Sequence, residues 1–208
     1  MSEIKNREKY EWARLWFEEA SNPSLPRILL IGDSITAGYR PFVNELMNGK
    51  AVVDQLATSG AINDPLYLKQ ISLMLSEYPY KAIHFNNGLH GWHLKAAAYE
   101  ESLKIVIDKI RELQENCILI LATTTPSTVK GKPSEINLEK DKIIRDRNSI
   151  LVTAASEYKL DINDLYSHIE GRSELRSDDG SHYTQEGYRI LAEKVTECLQ
   201  SVVQIQEQ

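Results

Sequence analysis

The chain has 208 residues, 42% of them hydrophobic and 26% charged, with a net charge of −6. That is room for one domain with a sizeable core. The lack of a lysine–arginine block excludes a conventional nucleic-acid surface, and two cysteines, Cys117 and Cys198, are too few for a disulfide framework or a zinc site and read as buried, inert thiols.

The N-terminal stretch is charged throughout and no run reaches transmembrane length, so a cytoplasmic protein with no membrane partner is expected. Residues 3–20 read as an amphipathic helix with Ile4, Trp12, Leu15 and Trp16 on one face. We expect residues 1–22 to form a helical extension packed on the domain. "SNPSLP" breaks that pattern. "RILLI" is a continuous apolar run that suits a strand buried on both faces. "SITAGYRPFVNELMNG" reads as a helix with an irregular first part, because proline is best tolerated near a helix start and Pro41 lies further in.

"AVVDQLA" is a second strand, followed by the turn-like "TSGAIND". "DPLYLKQISLMLSEY" is a helix that Asp64 can cap, with Pro65 at its first position. "YKAIHFNN" is a third strand and "LKAAAYEESLKIVIDKIRELQEN" a long periodic helix. "CILILATTT" is a fourth strand, and "PSTVKGKPSE" after it a polar loop. "NLEKDKIIRDRNSILVTAASEY" is a helix, "KLDINDLY" a short strand, and "TQEGYRILAEKVTECLQSVV" the closing helix. Alternating strands and helices without repeats or long linkers predict one α/β domain over residues 1–208. The expected form is a flavodoxin-like three-layer α/β/α sandwich with a mostly parallel sheet of about five strands. Ligands of such sheets sit beyond the carboxyl ends of the strands, where Ser34, Gly60, "NNGLHGWH" and the loop after Thr123 converge.

At "GDS" a buried strand ends and a helix begins. Asp33 and Ser34 are good helix caps, and Ser34 is also placed as a nucleophile at the sheet rim. The segment is neither a phosphate-binding loop nor the GxSxG elbow. A serine nucleophile needs a base, and the base needs an orienter. "SDDGSHYTQEGY" offers both: Asp179 and His182, three apart in a turn, can set a carboxylate beside an imidazole. Read alone, "DDGS" is ordinary turn chemistry. Together with Ser34 it points to catalysis. "HGWH" has a spacing that could hold a metal but no acidic or thiol neighbour, so no metal and no cofactor are expected.

"GDSIT", a glycine after the second strand, a polar block after the third and "DGSH" before the last helix resemble the SGNH (GDSL-type) hydrolases, in order from residue 27 onward. The resemblance implies an esterase or acetylesterase. Ser34 then matches the nucleophile and Asp179 and His182 the rest of the triad, while the backbone amide of Gly60 matches an oxyanion donor. The third block departs from the family's GxND. Its side-chain donor falls on Asn87 in one register and on His90 in the other, with Asn86 a third choice. Asp33, Tyr39, Arg40 and Trp92 are candidates for contacting a small-molecule or carbohydrate ester. The competing expectation is a weak or inactive relative that binds glycans, because the third block is altered.

Overall fold

A computed structural model of the chain describes residues 7–21 and 24–204. Its strands are β1 (Ala13–Trp16), β2 (Arg27–Gly32), β3 (Val52–Thr58), β4 (Ala82–Phe85), β5 (Ile118–Ala122), β6 (Thr128–Val129), β7 (Lys132–Ile136) and β8 (Asp161–Asn163). Its helices are α1 (Ser34–Leu46), α2 (Pro65–Glu77), α3 (Ala96–Leu113), α4 (Leu138–Tyr158), α5 (Leu165–Ile169) and α6 (Gln185–Gln204).

The central sheet has six strands in the order β1-β3-β2-β4-β5-β8. All neighbours are parallel except β1, which runs antiparallel to β3. The five parallel strands take the flavodoxin-like order, with its switch point between β2 and β4. Strand β2 shows why the sheet is doubly covered: it is buried along its whole length. Ile28 and Leu30 face a core shared with α1 and α6, and Leu29 and Ile31 face another shared with α2 and α3. Asp64 caps α2 by accepting from Leu66 N at 2.8 Å, with Pro65 at the first position.

Three elements differ from the sequence reading. The expected N-terminal helix is absent among the described residues 7–21, where Ala13–Trp16 is an edge strand paired from Ala13 opposite Thr58 to Trp16 opposite Gln55; Ile4 lies outside the described residues. Trp12, Leu15 and Trp16 have helical spacing, but β3 is buried and its free edge demands backbone partners. Pairing satisfies them and turns Leu15 to the core, leaving Trp16 49% exposed. The turn after β1 is tied down by Arg27, which pairs with buried Asp54 at 2.9 Å and donates to the Glu18 and Glu19 carbonyls. The "PSTVKGKPSE" loop contains the hairpin β6–β7. Helix α1 is regular from Ser34 and carries Pro41 in its interior.

His84 on β4 is completely buried, and Asn163 Nδ2 donates to its Nε2 at 3.1 Å. Burial depresses its pKa to about 4, against about 6.5 in an unfolded chain. The unfolded state therefore binds the proton first, so this contribution to stability is complete above about pH 6.5 and is lost as pH falls towards about 4. The loss approaches about 3 kcal/mol. We expect His84→Gln, a neutral acceptor for Asn163, to lose less stability than the wild type between pH 7 and 4.5. Urea unfolding at the two pH values checks it; equal losses in both proteins would exclude His84 as the cause.

A serine, histidine and aspartate at the carboxyl edge

Asp33 leaves β2 in an extended conformation, and its Oδ1 accepts from Ile35 N at 2.8 Å, capping α1. Ser34 is thereby the first residue of the helix. Its N–H has no acceptor within α1, and its Oγ stands at the rim. The sequence offered cap or nucleophile; the structure divides the two, with Asp33 as cap and Ser34 free of that task.

His182 Nε2 lies 2.8 Å from Ser34 Oγ, across 148 positions of sequence. His182 Nδ1 lies 2.6 Å from Asp179 Oδ2. Asp179 Oδ1 accepts from Ser181 N at 2.9 Å, His182 N at 2.9 Å and Ser177 Oγ at 3.0 Å. Partial burial pushes the Asp179 carboxyl up, but these bonds outweigh it and hold the group well below the usual carboxylate range. A permanently ionised Asp179 fixes the proton on His182 Nδ1 and leaves Nε2 as an acceptor for the Ser34 hydroxyl.

The two neighbouring loops close the site. Gly60 follows β3, and its N–H donates to Thr58 Oγ1 at 3.1 Å. Asn87 follows β4 and is buried; its Nδ2 donates to the Gly60 carbonyl at 3.3 Å, joining the loops. Asn86 spends its side-chain donors on Ala122 O at 2.8 Å and Thr124 Oγ1 at 3.2 Å, so it ties β4 to β5 and has none for a ligand. His90 lies further along the same loop, with Nδ1 2.7 Å from Glu8 Oε1.

Three of the expected substrate contacts fall elsewhere. Asp33 is 1% exposed, and its Oδ1 is engaged as the cap of α1. Tyr39 is packed in the core, its hydroxyl 3.0 Å from Thr36 Oγ1, and burial pushes its phenol up. Arg40 turns under the sheet to donate to Val53 O at 2.8 Å and to pair with Glu18. Ile35, Tyr39 and Val43 form the inward stripe of α1, which carries Tyr39 away from the rim. Trp92 remains beside the site, half-buried at a crevice of about 120 Å³ shared with Glu8, Ser59 and His93. The cap position of α3 is Lys95. Among the described residues no cluster of three or more His, Cys, Asp or Glu could hold a metal, and no helix is long and apolar enough to cross a membrane.

Two residues that the sequence reading passed over hold the site together. Arg147 on α4, 2% exposed, donates to the carbonyls of Gly88 at 2.9 Å, His90 at 2.8 Å and Gly91 at 2.6 Å. Glu8 is the other. Neither stands in a local motif. Arg147 is one of several cations on a helix, and Glu8 one of many charges in the N-terminal stretch.

A doubly wound sheet carrying a hydrogen-bonded Ser–His–Asp chain at its switch crevice defines a hydrolase of the SGNH fold. The chain belongs to the GDSL-like lipase/acylhydrolase family, whose model matches residues 30–190. Among solved structures it resembles the aryl esterase of M. smegmatis, at 15% identity and a TM-score of 0.70 over 85% of this chain and 99% of that one. An acetyl xylan esterase, AlAXEase, matches at 22% identity and a TM-score of 0.66 over 83% of this chain and 99% of that one. A GDSL-like lipase from Bacteroides thetaiotaomicron matches at 14% and 0.66 over 84% and 88%. At these identities the likeness is one of fold. No curated protein matches the chain significantly in sequence.

Helices α1 and α6 meet where Gly38 faces Tyr188: a Cβ on Gly38 would stand 2.1 Å from the Tyr188 ring. We expect Gly38→Ala to force the helices apart, costing about 1–3 kcal/mol of stability and lengthening the Ser34–His182 contact. A melting temperature equal to the wild type's would show that Tyr188 moves aside freely.

Proposed function

We propose that the protein is a serine esterase that hydrolyses short-chain acyl esters, acetyl esters above all, through an acyl-enzyme on Ser34. The observation that carries this reading is the continuous chain Asp179–His182–Ser34, with contacts of 2.6 and 2.8 Å. His182 Nε2 takes the Ser34 proton as Oγ attacks the ester carbonyl. The imidazolium then gives that proton to the departing alkoxide, and the alcohol leaves. The same nitrogen next removes a proton from water, whose oxygen attacks the acyl-enzyme, and Ser34 is released with the carboxylic acid.

The tetrahedral oxyanion takes hydrogen bonds from the amides of Ser34 and Gly60 and from a side chain of the loop after β4, Asn87 or His90. The Gly60 amide is bonded to a neutral hydroxyl at 3.1 Å, and a charged oxygen is the stronger acceptor of the two. Each such donor contributes about 2.7–4 kcal/mol to lowering the barrier.

The fold-level likeness to an acetyl xylan esterase agrees with an acetylated carbohydrate as the natural ester. The protein's partner is thus a small-molecule or carbohydrate ester.

Hydrolysis of p-nitrophenyl acetate tests the reading. Ser34→Ala and His182→Ala should each lower kcat by roughly 10⁴-fold or more. Turnover that survives both substitutions would place the chemistry elsewhere.

A further inference from the structure

Asp179 and His182 lie on a loop that leaves and returns at one point. Arg176 and Tyr183 form an isolated antiparallel bridge, and just inside it Ser177 N donates to His182 O at 3.0 Å. The Arg176 side chain works across that base. It is 6% exposed, and its Nη1 donates to Pro126 O at 2.9 Å, in the loop after β5. Its guanidinium carbon stands over the Tyr183 ring, 4.9 Å from the centroid, within the range where a cation is drawn to the ring face. Nη2 is buried and has no hydrogen-bond partner among the described residues. A carbonyl oxygen and an aromatic ring therefore meet the charge. Tyr183 follows His182 directly and packs edge-on to Tyr188, with centroids 6.0 Å apart. Tyr188 fills the space left by Gly38 on α1. One stack thus runs from the loop after β5 through Arg176, Tyr183 and Tyr188 to the helix that begins with Ser34.

Resting on the esterase reading, we propose that Arg176 is a positioning residue: held at Pro126 O and over Tyr183, it sets where His182 stands relative to Ser34. The tip of the same loop has its own supports, since Gly180 O accepts from Ser127 Oγ at 2.9 Å and from Thr128 N at 2.9 Å. Those bonds act beside Asp179. His182 lies between the tip and the base, and only the base joins it to the aromatic stack. Without Arg176 the tip stays in place, the base is freed, and the imidazole between them loses its single position. A buried cation adds little stability compared with an apolar chain of the same shape. The contribution of Arg176 is therefore to geometry, and a substitution can separate the two.

The test uses the full chain and p-nitrophenyl acetate. Arg176→Met keeps the length of the side chain and loses its charge and its donor; Arg176→Lys keeps a cation and a donor for Pro126 O. Arg176→Met should lower kcat by roughly 10- to 100-fold, with KM and melting temperature little changed, and Arg176→Lys should recover most of that loss. Tyr183→Leu should lower kcat as well. Adding Arg176→Met to it should cost almost nothing more, because the ring that carries the effect is already gone. A wild-type kcat in Arg176→Met, a loss that lysine does not recover, or losses that add in the double variant would overturn the proposal. Proton NMR reads the same device without turnover. The His182 Nδ1 proton, in a 2.6 Å contact with Asp179, should give a sharp low-field signal in the wild type, broadened in Arg176→Met and sharp again in Arg176→Lys. A signal unchanged in Arg176→Met would refute the positioning role. Those spectral changes in a protein without Ser34-dependent hydrolysis would uphold the positioning role and sink the esterase reading instead.

Discussion

The site depends on how closely α1 lies against α6. Ser34 begins α1, and His182 stands three residues ahead of α6, so the hydroxyl–imidazole contact is the outer end of a helix–helix packing. Where the helices meet, Gly38 leaves the space that the Tyr188 ring fills. Tyr188 in turn packs edge-on to Tyr183, the residue after His182, with ring centroids 6.0 Å apart. The apolar stripe that builds the core thus sets the Ser34–His182 distance. Ile35, Tyr39 and Val43 on α1 and Leu191, Val195 and Leu199 on α6 belong to one buried cluster under β2. Burial of that cluster is non-directional. The directional part comes from the glycine.

The turn that carries Asp179 and His182 has a second support. Gly180 has φ +87, a left-handed conformation that other residues adopt only with strain. Its carbonyl accepts from Thr128 N at 2.9 Å and from Ser127 Oγ at 2.9 Å, and Gly131 N donates to Asp178 O at 2.7 Å. A Cβ at position 180 would stand 2.5 Å from Thr128 O. The hairpin β6–β7 is therefore a brace for the turn, and the turn's own amides fix the Asp179 carboxylate. Charge and geometry come from one device: the amides that orient Asp179 also keep it ionised.

Much of the fold was legible because its signals are local. Buried parallel strands read as apolar runs, a cap such as Asp64 precedes its helix, and the order of motifs matched a known family from residue 27 on. The residues of the Asp179–His182–Ser34 chain were legible as three residue types in two motifs, although nothing in the sequence gives a contact across 148 positions. The misreadings share a cause. Trp12, Leu15 and Trp16 fit a helix by spacing, and only the unpaired edge of β3, a tertiary fact, makes them a strand. Tyr39 and Arg40 were assigned to the rim because they follow Ser34 in sequence. A helix turns about 100° per residue, so one points into the core and the other under the sheet. Local pattern says which face of an element is apolar. It does not say which neighbour waits there.

Arg147 shows what lay beyond that limit. Burying a cation is costly unless its charge and donors are met. Arg147 meets them with three carbonyl oxygens and lies over the rings of Tyr99 and Trp92, at 5.0 and 5.6 Å, while burial still pulls its pKa down. Such an arrangement adds little stability compared with an apolar residue of the same shape. Its effect is to fix a loop that has no regular structure of its own. Gly88, His90 and Gly91 lend Arg147 their carbonyls and lose their freedom in return. A transition state is stabilised most by donors that need not reorganise when charge appears. The loop after β4 is the block in which the sequence departs from the GxND of the family it resembles. A guanidinium on one side and a carboxylate on the other give that block the rigidity its own sequence lacks.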